Sequence, residues 1–263
     1  MFIYFNSPKD TGCSVNTPSI DSDFRSLTMN LAYFIFYLLW PSKPQQSNTM
    51  KFDIIHQERY SRGELLLRAF FGFLYIAIPH FFLLLFVGIA AQVITFIAFW
   101  VILFTGSYPE SLFEFQVKVM HWNQRVQARL IHLADGYPPF GFDVDDPAVV
   151  LEVPYPERLS RGHALLKVFF GWLYCGIPHY FILFFLLMAG GIVQFIAFWV
   201  VLFTAEYPKG MHSFNVGVMR WGLRVQLYLG LMTDDYPPFS LDQEEEKPQN
   251  LPPEPSPSPS AAA

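Results

Sequence analysis

The chain has 263 residues, of which 52% are hydrophobic and only 15% charged, with 29 Phe, 13 Tyr and 6 Trp. A soluble chain of this length would struggle to bury so many aromatic rings, whereas a bilayer accepts them, with Trp and Tyr favoured at its surface. The net charge of −5 comes with no basic face, which argues against nucleic acid as a partner, and two cysteines, Cys13 and Cys175, are too few for a disulfide framework or a thiolate zinc site.

Residues 1–49 read as an N-terminal extension outside the pattern that follows. Leu31 to Trp40 is apolar but too short to span a bilayer, and the segment lacks the basic start and small-residue cleavage site of a secretory signal. Met50 aligns with Val149 at the head of the second repeat, so we expect Met50 to be the true start and the preceding residues not to be native.

From residue 50 onward the chain repeats. Glu58-Arg59-Tyr60-Ser61-Arg62-Gly63 returns as Glu157-Arg158-Leu159-Ser160-Arg161-Gly162, and Ile78-Pro79-His80 returns as Ile177-Pro178-His179. The pairs His80 and His179, Trp100 and Trp199, and Tyr137 and Tyr236 are each 99 positions apart. An unchanging offset marks a duplication, which divides the chain into unit 1 at 50–143, unit 2 at 144–242 and a tail at 243–263. The acidic, Pro- and Ser-rich tail cannot form a core and reads as disordered.

Each unit opens with a short alternating segment, Phe52-Asp53-Ile54-Ile55 and Val150-Leu151-Glu152-Val153, suited to a strand or an extended arm. A long apolar stretch follows. It exceeds the roughly 20 residues that cross a bilayer, so it predicts two helices each time, over Glu64–Val87 and Ile89–Thr105, then over His163–Leu187 and Ile192–Thr204. The turns fall at Gly88 to Ala91 and at Gly190-Gly191, where small residues permit a reversal. Arg and Lys flank both hairpins and are absent from their tips, which predicts both flanks and both termini in the cytoplasm.

Next comes a segment with apolar residues spaced by four and three: Phe115, Val119, Trp122, Val126 in unit 1 and Phe214, Val218, Trp221, Val225 in unit 2. This is one apolar helix face, expected to lie in the membrane interface, or else to dock on its twin or on a partner. Pro138-Pro139 ends it. The expected fold is therefore an all-α integral membrane protein with two tandem transmembrane helical hairpins, four spans in all, each followed by an amphipathic interfacial helix.

Three motifs carry a family resemblance. Phe96 to Pro109 (Phe-Ile-Ala-Phe-Trp-Val-Ile-Leu-Phe-Thr-Gly-Ser-Tyr-Pro), Met120-His121-Trp122 with Arg125-Val126, and Tyr137-Pro138-Pro139-Phe140 together resemble a bacterial membrane family, domain of unknown function 4389. The second copy resembles it equally. The resemblance implies a multi-pass protein of the bacterial inner membrane and brings no catalytic residues with it.

Few residues are candidates for chemistry. His80 and His179 each follow a Pro at lipid depth, where an ionisable side chain is a functional candidate by default. Related by the repeat, the two could face each other and bind a metal, a haem or a proton; the alternative is that each satisfies the backbone freed at its own kink or sits near the outer interface. Without Cys, Asp or Glu at similar depth, a metal site lacks its ligands, and no cofactor is expected. Arg68 and Lys167 are expected to snorkel to the interface, and the pairs Arg62 with Arg68 and Arg161 with Lys167 could hold an anionic lipid headgroup. Thr95 and Gln194 suit hydrogen bonds between helices. With no catalytic constellation in sight, the expected role is a non-enzymatic scaffold or accessory subunit working with membrane lipids and with a membrane-protein partner or further copies of itself. A membrane-shaping hairpin protein and a small transporter or channel subunit are the alternatives.

Overall fold

The computed structural model describes residues 49–243, so the expectations for the N-terminal extension and for the tail beyond Gln243 lie outside the described residues. The elements are β1 (Lys51–Ile54), α1 (Arg62–Thr105), α2 (Glu110–Leu130), β2 (Val149–Glu152), α3 (Arg161–Thr204) and α4 (Lys209–Leu229).

The two alternating segments pair with each other. β1 and β2 form an antiparallel ribbon in which Lys51 faces Glu152 and Phe52 faces Leu151. Phe52 and Leu151 are themselves repeat equivalents, so a pseudo-twofold axis passes through that pair. The same symmetry governs the long helices: Arg62 donates to the Phe203 carbonyl at 2.9 Å and Arg161 donates to the Phe104 carbonyl at 3.0 Å. The start of each long helix therefore meets the end of the other, and α1 and α3 run antiparallel. Each arginine sits where the last carbonyls of a helix lack partners and the helix dipole favours a cation.

The expected hairpins are not present. α1 and α3 are each one helix of 44 residues, long and apolar enough to cross a membrane, and Gly88, Gly190 and Gly191 lie inside them. Glycine in a helix costs only about 1 kcal/mol against alanine. That is too little to break a helix held by packing along its length. Leu65, Arg68, Gly72, Ile76, His80, Ala91, Ala98 and Ile102 form a buried stripe down one side of α1.

The interruption falls elsewhere. A single π-helical turn spans Phe73–Ala77 in α1 and Trp172–Gly176 in α3, immediately before Pro79 and Pro178. Proline has no N–H to donate and its ring crowds the preceding turn. The wider turn absorbs the mismatch, with the Ile78 N–H donating back to the Phe73 carbonyl.

α2 and α4 pack back along α1 and α3, and the ribbon packs on their far side, β2 on α2 and β1 on α4. This too departs from the expectation of an interfacial helix. Trp122 and Val126 are buried with Ile76 of α1, and Trp221 and Val225 with Cys175 and Leu183 of α3. The apolar faces are covered by the helix of their own unit. The polar side of α2 is covered as well, with Gln124, Arg125 and Arg129 all buried. Together the long helices, the shorter helices and the ribbon make three layers, and the outer face of the first layer is left bare.

Candidate functional site

The two histidines are fixed by the motif that closes their own unit. Pro79 leaves the Tyr75 carbonyl without its usual helical partner, and the Tyr137 hydroxyl donates to that carbonyl at 3.2 Å. Tyr236 does the same for Tyr174 at 3.2 Å. Phe140 stacks on the His80 ring at 3.9 Å and Phe239 on the His179 ring at 4.0 Å. The Tyr-Pro-Pro-Phe motif thus clamps the proline turn. Tyrosine, rather than histidine, satisfies the freed carbonyl.

The imidazoles serve the next helix instead. Trp122 Nε1 donates to His80 Nδ1 at 3.0 Å, and Trp221 Nε1 donates to His179 Nδ1 at 2.9 Å. An indole N–H can only donate, so Nδ1 is the acceptor and each ring carries its proton on Nε2. Both histidines are fully buried, each enclosed by aromatic rings of its own unit. They do not face one another, and no cluster of three metal-ligating side chains occurs among the described residues.

Arg68 and Lys167 do not snorkel. Arg68 donates to Asp135 at 2.5 Å and to Glu64 at 3.3 Å, and Lys167 donates to Asp234 at 2.7 Å and to the Thr233 carbonyl at 2.6 Å. Their side chains are 1% exposed. The carboxylates also accept from the N-cap amides, Ser61 to Asp135 and Ser160 to Asp234, both at 2.6 Å. A long cation this close to a helix start is drawn to the nearest carboxylate as readily as to a lipid phosphate. Asp135 is the partner of Arg68 and Asp234 that of Lys167. Arg62 and Arg161 are committed to the helix ends described above. The four basic residues therefore bind the protein itself.

The other candidates are packing residues. Trp122 and Trp221 are buried. Phe115 lies against Phe142, and Phe214 is half-buried beside the Trp221 cluster. Thr95 accepts from Gln116 of α2 at 2.9 Å, the interhelical bond its position suggests, whereas Gln194 accepts from the hydroxyl of Tyr207 in the α3–α4 connection at 3.1 Å. Sequence reasoning missed Arg125 and Arg224. Arg125 holds the Gly141 and Val144 carbonyls at 2.6 and 3.3 Å, and Arg224 holds Ser240 and Asp242, which pins the closing loops onto α2 and α4. Arg129 and Asp146 form a buried pair at 2.6 Å. Burial also acts on titratable groups in this layer, lowering His132 and His212 to about 4 and raising Tyr108 and Tyr207 to about 12.

The feature left over is a surface. On α1, Leu66, Phe70, Phe73, Phe82, Phe86, Val93, Phe96 and Phe104 are exposed, and the matching positions of α3 are exposed as well. A bare apolar area of this kind lies far outside what a monomer shows to water.

A duplicated helix-and-return unit with these motifs defines a class: a tandem helical repeat whose two longest helices are each long and apolar enough to cross a membrane. Residues 64–141 and 166–240 match the family described as domain of unknown function (DUF4389), more than half of the chain, and the protein belongs to that family. No curated protein and no solved structure matches it.

Proposed function

We propose that the protein is a membrane-surface scaffold that lays α1 and α3 flat into one leaflet of the bacterial cytoplasmic membrane and presents its polar layers to the cytoplasm. The observation that carries this is the bare apolar face of two antiparallel helices, backed along its length by charge.

Length argues first. A helix of 44 residues is about 66 Å long at 1.5 Å per residue, more than twice the ~30 Å hydrocarbon thickness of a bilayer. Standing upright, with roughly 20 residues in the hydrocarbon, α1 would leave at least three of its nine phenylalanines outside it. Charge argues second. α2 returns from the Thr105 end of α1 towards the Arg68 end with Glu110, Glu114, Lys118, Arg125 and Arg129 along it, and the ribbon with its Lys51 to Glu152 pair lies beyond. An upright α1 would carry this layer through the hydrocarbon, where each charge costs at least several kcal/mol. Lying flat, the fold meets lipid on one side and water on the other, as amphipathic interfacial helices do.

The activity is structural, holding a partner or further copies at the membrane. Insertion into one leaflet also favours membrane shaping, because it widens that leaflet alone. The test uses sealed vesicles with the protein added from outside. Single cysteines at Ser107 and Gly136, at opposite ends of α1, are treated with a membrane-impermeant maleimide. The proposal expects both to label without lysis. Labelling of one only after lysis would mean that the helix crosses.

A further inference from the structure

We infer that the cleft between α1 and α3 binds one neutral glycerolipid, a molecule with apolar chains and an uncharged, hydroxyl-bearing head. The inference rests on the leaflet-inserted reading above and adds a specific ligand site to it.

The long helices touch near their ends and part between them. The resulting cleft has a volume of about 930 Å³ and continues into a second hollow of about 490 Å³ that shares Gln92 and Thr95 with it. From Phe81 to Leu103 the two run along α1 for about 33 Å at 1.5 Å per residue, long enough to lay an acyl chain flat. The walls are apolar, with Phe81, Leu85 and Ile89 on one side and Val168 and Trp172 on the other. These residues belong to, or adjoin, the bare apolar face, so a lipid enters sideways from the leaflet.

Three uncharged amides line the cleft: Gln92 and Gln226 are exposed and Asn123 is half-buried, and none of their side chains makes a hydrogen bond to another described residue. An amide without a partner beside lipid is costly. A hydroxyl or ester of a lipid head satisfies it with both donors and acceptors. Charge selects among heads: the one cation in the lining, Lys167, is already neutralised by Asp234 at 2.7 Å, so nothing is left to balance a phosphate.

The duplication supplies an independent observation. The positions 99 residues from Gln92 and Asn123 are Gly191 and Gly222. The symmetry-related positions lack these amides, although Val119, Met120 and Trp122 beside Asn123 are kept as Val218, Met219 and Trp221. The two amides therefore belong to one side alone, as a single asymmetric ligand requires and as a merely structural pair of repeats does not.

The test uses the full chain in mixed micelles with a diazirine-bearing diacylglycerol, crosslinked residues being mapped by mass spectrometry. The expected label falls on the cleft walls between Phe81 and Leu103 and around Trp172. It drops at least fivefold in the Gln92→Leu/Asn123→Leu variant and returns in Gln92→Asn/Asn123→Gln, which keeps both amides. Equal labelling of wild type and the leucine variant, label spread evenly over the exposed faces of both helices, or stronger labelling by a phosphatidic acid analogue would each overturn the inference. Vesicle flotation is measured separately. Failure to float with the cleft label retained would remove the leaflet reading and leave the site standing.

Discussion

Removing the Asp135 carboxylate tests whether the buried basic residues hold the fold. In Asp135→Ala the Arg68 guanidinium, 1% exposed, keeps only Glu64 at 3.3 Å, itself 43% exposed. Breaking a buried ion pair from one side costs roughly 3–5 kcal/mol, and the remaining glutamate puts this case near the lower end, about 3 kcal/mol. At 2–4 °C per kcal/mol for a domain of this size, the melting temperature falls by roughly 6–12 °C. The assay is thermal unfolding in a non-ionic detergent, followed by far-UV circular dichroism because the described residues are mostly helical. Arg68→Met in the Asp135→Ala background removes the stranded charge and restores the melting temperature to within about 3 °C of wild type, since an apolar replacement of a whole buried pair is often neutral. Lys51→Ala breaks the exposed Lys51 to Glu152 pair and leaves the melting temperature unchanged. A fall under 2 °C for Asp135→Ala, or a double variant as unstable as the single, would refute the reasoning and return Arg68 to the pool of lipid-headgroup contacts.

Other outcomes follow from the same structure. His80→Phe leaves the buried Trp122 N–H without an acceptor and costs about 1–3 kcal/mol, while flotation on vesicles is unchanged; loss of flotation with normal stability would give the histidine a role beyond packing. Ala205 stands at φ 60° where the first unit has Gly106 at φ 78°, so Ala205→Gly should stabilise by about 0.5–1 kcal/mol, read as a higher denaturant midpoint; a lower midpoint would contradict the strain argument. His132 and His212 have folded-state values of about 4 against an ordinary 6.5. Their folded forms bind fewer protons than the unfolded chain, so stability is full above pH 6.5 and is lost as the pH falls towards 4, with a slope of at most about 1.4 kcal/mol per unit for each. Replacing His212 by Gln should flatten that slope, and an unchanged pH profile would show that the ring is not buried neutral.

Much of the architecture is legible in the sequence because duplication writes it twice. The constant offset reveals the two tandem copies that the family match also finds, and the alternating segments that meet as β1 and β2 are visible as such. The helix turn is where the reading fails. A 41-residue apolar run from Leu65 to Thr105 looks like two spans when bilayer thickness is the only ruler, and Gly88 offers a turn. Nothing local in the sequence says that α2 will pack back along the run and that the run will stay one continuous helix. The same packing hides the amphipathic face that hydrophobic spacing assigns to lipid. For the site, the Ile-Pro-His and Tyr-Pro-Pro-Phe motifs stand out, but their meeting across 60 residues is tertiary. The Arg68 to Asp135 pair is likewise invisible because its partners sit 67 positions apart. Gln92 and Asn123 carry one sequence signal, that glycine replaces both in the second copy.

The orientation of α1 decides the account most directly. Spin labels at Leu66, Phe86 and Phe104, at the start, middle and end of its exposed face, are placed in a background lacking Cys13 and Cys175, and their depth in vesicles is measured from collision rates with oxygen and a water-soluble relaxant. The account predicts one shared depth, roughly 5–10 Å below the headgroups, for all three. A gradient from one surface through the bilayer centre to the other would contradict it.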